Sequence, residues 1–134
     1  MAVNKDDIKH LHWQLAYRQT EPEGGDIVAA YDDIAQAIRL LILTPIGSVP
    51  SNPAKGCDLL SFIDRPPEIA IPIIARAAWE AVSTWEPRVE VGTVKVIAKA
   101  PYHFVATVPW RVRNSVKAEF QQTEVDMNLT GIAA

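Results

Sequence analysis

Apolar residues recur along this chain at three- and four-residue steps up to Trp85, and at every second position beyond Pro87. That change of period predicts helices first and strands after them. Ile8, Leu11 and Leu15, with Trp13 beside them, space a short amphipathic helix over residues 6–18. Glu21-Pro22-Glu23-Gly24-Gly25 then breaks the chain. Ile27, Tyr31, Ile34, Ile38, Leu41 and Ile42 mark a longer helix over residues 26–43. Asp26 stands where an N-cap accepts a free backbone N–H. Asp32 and Asp33 near its start and Arg39 nearer its end suit the helix dipole. Thr44-Pro45 stops it, because proline disfavours helical geometry in the preceding residue. The stretch 44–56 carries Pro45, Gly47, Pro50, Pro53 and Gly56, a composition that predicts a shaped loop. Residues 57–63 read as a short helix, and Asp64-Arg65-Pro66-Pro67 as another break.

A second long helix starts near Glu68 or Pro72 and ends at Thr84, with Ile73, Ile74, Ala77, Ala78, Ala81, Val82 and Trp85 on its buried stripe. Pro72 belongs in its first turn or kinks it. Val89 and Val91 then alternate with charged residues, Gly92 shifts the phase, and Val94, Val96 and Ala98 continue. Gly92 therefore reads as a bulge or turn. Tyr102, Phe104, Ala106, Val108, Trp110 and Val112 alternate over a long strand, in which Pro109 predicts an edge or a bulge. Val116, Ala118 and Phe120 lead into a last strand with a polar tail over residues 121–127. The expected class is α+β: two long helices and one or two short ones packed on a C-terminal antiparallel three-stranded meander. Residues 1–25 form a leader helix and loop, and residues 26–134 one domain.

Composition narrows the function. With 134 residues, 49% of them hydrophobic, the chain can bury one core without metals or disulfides. Its net charge of -3 points to neither nucleic acid nor membrane. Lys95, Lys99, Arg111, Arg113 and Lys117 form a stretch free of acids, read as the solvated face of a sheet or a docking surface for an acidic partner. Cys57 is the sole cysteine, which rules out an internal disulfide and fits a reducing compartment. No signal-peptide pattern opens the chain, and no apolar run approaches the ~20 residues of a membrane span.

The common chemistries find no support. His10 and His12 are two apart and would point to different sides of a helix, and His103 is remote from both. No metal site and no cofactor are expected. Cys57 lacks a neighbouring base, and Gly47, Lys55 and Gly56 do not make a phosphate loop. Glu86 is a candidate acid, with Glu80, Glu90 or Asp58 as a second carboxylate, but Arg88 two residues away would lower its pKa, the wrong direction for a general acid.

One arrangement remains. A helix rich in Ile and Ala ends in Trp85-Glu86-Pro87-Arg88-Val89, and an alternating strand follows. Upstream, Leu43-Thr44-Pro45-Ile46-Gly47 closes the earlier helix and leads through the proline-rich loop to Lys55-Gly56-Cys57-Asp58-Leu59. Over residues 27–120 this resembles the baseplate wedge family of contractile-tailed phages, baseplate protein W, often labelled lysozyme-like. Ser48-Val49 replaces the family's arginine after the loop glycine, and Lys55-Gly56 its Phe-Gly. The leader does not map onto the family pattern.

The resemblance implies a structural virion protein of the inner tail baseplate, assembled in the host bacterial cytoplasm. It implies that Glu86, Pro87 and Arg88 contact a helical core bundle of larger wedge proteins, with tube or hub proteins as further neighbours. It also implies that C-terminal strands initiate the tail sheath. We place that contact on Lys117, Glu119, Gln121, Thr123 and Val125, whose strand edge would add to a sheath strand. A type VI secretion or other contractile injection baseplate subunit is the alternative. A lysozyme-type hydrolase is the rival from another class.

Overall fold

The computed structural model describes residues 13–15, 27–62, 65–113 and 119–128. Two compact units divide the chain, Met1–Ile38 and Arg39–Ala134.

In the first unit, β1 (Trp13–Leu15) pairs antiparallel with β2 (Ile27–Ala29), and β2 runs directly into α1 (Ala30–Leu43). The side-chain amide of Gln14 donates to the carbonyl of Asp33, and that of Gln36 to the carbonyl of Leu15. These two bonds tie β1 to the first turns of α1. The pattern predicted a leader helix through residues 13–15, and the structure has a strand there. Three residues carry too little pattern to separate a period of two from 3.6, and pairing with β2 decides the matter. The rest of that stretch, and Asp26 as a cap, lie outside the described residues. The long helix starts four residues later than its expected first residue, because Ile27–Ala29 is extended and paired.

The second unit takes over within α1. Leu41 and Ile42 are buried, continuing the stripe of Ile34 and Ile38. The Thr44 hydroxyl donates to the carbonyl of Leu40 and closes the last turn. The loop that follows is shaped, as its prolines and glycines suggest. Cys57 N–H donates to Thr44 O (2.9 Å) and Gly47 N–H to Pro53 O (2.8 Å), so the loop is pinned at its base and across its middle. Gly56 has φ +126°, and a Cβ there would stand 2.3 Å from the Thr44 carbonyl oxygen. The expected short helix is a single 3-10 turn, Leu60–Phe62.

α2 (Pro67–Trp85) buries Ala70, Ile74, Ala78, Ala81 and Val82 and packs on β3 and β4. Pro72 sits in its interior on the exposed side and removes one backbone hydrogen bond from the helix. Among the described residues the helices number two, plus the 3-10 turn.

The sheet has four strands where three were expected: β3 (Val89–Val91), β4 (Lys95–Ala100), β5 (His103–Val112) and β6 (Gln121–Asn128). All pairings are antiparallel to β5. Trp110 pairs with Val91 and with Gln121, and Ala106 with Val96 and with Val125. β3 and β4 therefore share one edge of β5, end to end, and β6 takes the other. Gly92 lies in the gap between β3 and β4 and donates its N–H to Pro109 O (2.8 Å). Pro109 thus stands in a central strand, not at an edge. It is tolerated because its missing N–H faces the interruption opposite Gly92. Phe104, Ala106, Val108 and Trp110 line the buried face with Thr123, Val125 and Met127 across the ladder.

Candidate functional site

The helix-to-strand handover is built by Pro87. Glu86 caps α2, its N–H donating to Val82 O (2.9 Å), and its φ and ψ of -119° and 81° leave the helix. On a helix, residues two apart do not face each other. Outside it, Arg88 folds back so that Nε donates to Glu86 Oε1 (2.6 Å) and Nη2 to Oε2 (2.9 Å). The carboxylate is buried, while the Arg88 side chain keeps 26% of its exposure. Trp85 is half-buried and Pro87 exposed. The backbone is fixed as well, since Arg113 N–H donates to Arg88 O (2.9 Å). Both carboxylate oxygens of Glu86 are thus engaged from within the chain. What faces outward is an exposed proline and a guanidinium held in one orientation.

The second feature is the outer edge of β6. Bonds from Gly92 N–H to Pro109 O and from Arg113 N–H to Arg88 O show that odd-numbered positions of β5 and its extension turn toward β3 and β4. Antiparallel ladders alternate, so even-numbered residues of β5 turn toward β6. Ala106 and Val108 then bond to Val125 and Thr123, and Gln122, Glu124 and Asp126 direct N–H and C=O away from the sheet. In keeping with this, Arg39 Nε donates to Glu124 O (3.2 Å). No strand among the described residues pairs with that edge.

The expected sheath-contact residues divide accordingly. Lys117 lies outside the described residues. Glu119 is exposed just ahead of β6. Gln121 begins β6, while Thr123 and Val125 are buried, their backbone groups turned to β5. Thr123 is held in the core by the Trp110 indole N–H, which donates to its hydroxyl (2.8 Å). Of the expected residues, Thr123 and Val125 thus face β5, and the outward backbone groups belong to Gln122, Glu124 and Asp126. Val125 and Met127 were the available signal: placing both in the core turns Gln122, Glu124 and Asp126 outward.

Other chemistry is sparse. Cys57 is buried, and burial, with Asp58 adding to it, pushes its thiol up to about 12. On the solvent side of the sheet Arg111 pairs with Glu90 (2.6 Å) and lies 5.2 Å from the centre of the Phe120 ring. His103 Nε2 is 2.6 Å from Asp126 Oδ1. Among the described residues no group of His, Cys, Asp and Glu is arranged to hold a metal ion, and no helix is long and apolar enough to cross a membrane.

Comparison with known proteins agrees with the resemblance read from the sequence. The family described as Baseplate wedge protein gp25 matches residues 28–125. A chain from Geobacter sulfurreducens, named provisionally as a tail lysozyme, superposes with a TM-score of 0.62 at 23% identity. That likeness covers 75% of this chain and 93% of the other, and it concerns the fold alone. A chain of the baseplate complex from the type VI secretion system gives a TM-score of 0.49 at 14% identity, over 70% of this chain and 90% of that one. No curated protein sequence matches. The chain belongs to the baseplate wedge protein gp25 family and is a component of a contractile baseplate.

Proposed function

We propose that this member of the gp25 baseplate wedge family is a non-catalytic wedge component of a contractile phage tail, built to join two kinds of partner. The Pro87–Arg88 surface, backed by Glu86, meets the helical core bundle of the larger wedge proteins. The outer edge of β6 receives a strand of the first sheath subunit. The observation that carries the reading is the open edge: Gln122, Glu124 and Asp126 present backbone donors and acceptors in the spacing an added strand requires.

The helix-to-strand corner supports the first contact. A planar guanidinium fixed by a buried carboxylate suits partner carbonyls or carboxylates, with little side-chain entropy left to lose. Glu86 positions Arg88 and does not itself reach the partner. The same geometry argues against hydrolysis. Both oxygens of the buried carboxylate are taken by the guanidinium, so it is not presented to a substrate.

Co-expression with the wedge proteins and sheath tests the reading. Arg88→Ala and Gln122→Pro are each compared with the parent chain. We expect loss of baseplate incorporation with the first. The second should give baseplates without sheath. Full-length sheathed tails from both variants, each retaining a cooperative melt, would overturn the proposal.

A further inference from the structure

A groove of about 510 Å³ opens where the start of α2 meets the β4–β5 hairpin, and neither residues 86–88 nor β6 line it. Phe104, buried, forms its floor with Ala98 and Ala100, and Arg65, Lys99 and Tyr102 stand at its rim. No carboxylate among the described residues lines it. Arg65 and Lys99 are exposed, and neither has an ion pair among the described residues. The Arg65 guanidinium is steadied 5.9 Å from the centre of the Phe62 ring.

Two backbone irregularities shape the rim. The β4–β5 register shifts between Ala98 and Ala100, so Lys99 is the bulged residue, and bulges re-aim side chains. Tyr102 has φ +60°, a conformation uncommon outside glycine, and the residue is 38% exposed. Proline residues 66, 67 and 101 stiffen the walls, so the groove is formed before anything enters it.

We propose that this groove docks an extended acidic peptide of a partner protein, its carboxylates on Arg65 and Lys99 and an apolar side chain over Phe104 beside Tyr102. A small inorganic anion fits less well. Pro66 and Pro67 carry no N–H, and the N–H groups of Ile69 and Ala70 both donate to Pro66 O, so the helix start holds little for it. A nucleic acid is disfavoured by the net charge of -3 and by having only two cations at the site.

Fluorescence anisotropy on the full chain tests the proposal, with a fluorescein-labelled octapeptide alternating Asp or Glu with Leu. We expect saturable binding, about tenfold tighter than for the Asn and Gln counterpart. Arg65→Gln with Lys99→Gln should weaken it about tenfold, from roughly threefold per exposed cation. Added salt should weaken it further. Amide chemical shifts on the parent chain should move at residues 98–104. An unchanged affinity in the double variant, shifts confined to other residues, or the absence of saturable binding would overturn the proposal. So would equal competition by inorganic phosphate or by a single-stranded oligonucleotide. If the double variant melts lower than the parent, Lys99→Gln alone and the parent's shift map decide between these outcomes.

Discussion

Arg88 closes back on Glu86, with Nε 2.6 Å from Oε1 and Nη2 2.9 Å from Oε2, across a proline that neither residue shields. The pair is bidentate and its acidic half is buried, so its members are not equivalent to remove. Arg88→Ala strands a buried carboxylate and should cost about 2 kcal/mol in urea unfolding. Glu86→Gln with Arg88→Gln keeps volume without a stranded charge and should cost less than the sum of the single changes. Additive single and double changes would show that the pair is not coupled.

Gly56 predicts a sharper loss. Any Cβ meets the Thr44 carbonyl oxygen at 2.3 Å, and φ is +126°. Gly56→Ala should therefore destabilise by about 3 kcal/mol or more, since the contact is with backbone and has no flexible end to yield. Gly47→Ala has the same sign of φ, at +89°, but nothing within 4 Å, and should cost about 1 kcal/mol. Thermal melts of the two variants give the comparison.

The phase of β6 is testable with proline. Gln122→Pro removes an outward N–H and no ladder bond, so the domain should keep its cooperative melt while sheath growth stops. Thr123→Pro breaks the ladder to β5 beside the Trp110 indole and should unfold the sheet. Tail length by electron microscopy and circular dichroism separate the two effects.

Cys57 gives a pH signature. Its folded-state pKa is raised from 9.0 to about 12 by burial and by Asp58. The native thiol therefore resists ionisation that the unfolded chain accepts. Stability from this group is complete below about 9 and falls as pH rises from there toward about 12. Cys57→Ala should show a shallower decline over that window. In the parent, thiol reagents at neutral pH should label only the unfolded chain.

The long elements were legible because their periods are sustained. α2 is marked by Ile74, Ala78, Ala81 and Val82 at helical spacing, and β5 by an alternation that runs from Phe104 to Trp110. Residues 13–15 and 27–29 misled because a strand that short has no period of its own and is fixed by its partner. Pro109 was expected at an edge or a bulge, and of these the edge fails: it lies opposite the break at Gly92, where the register on β5 slips by one residue, and only topology shows that its missing donor faces that gap. At the corner, the Glu-Pro-Arg run was readable as a motif. That Arg88 would spend its fork on Glu86 depends on a turn no spacing reveals.

The outward face of β6 also bears on how the free chain behaves before it meets any partner. Two copies meeting edge to edge along β6 would set Glu124 and Asp126 of each against the same acids on the other, and both would have to release Arg39 from Glu124 O. Self-pairing is thus penalised twice, by repulsion and by a lost bond. A sheath strand bringing basic side chains meets attraction in place of repulsion and need only displace the arginine. The edge is therefore built against pairing with its own kind and is open to a strand of opposite charge.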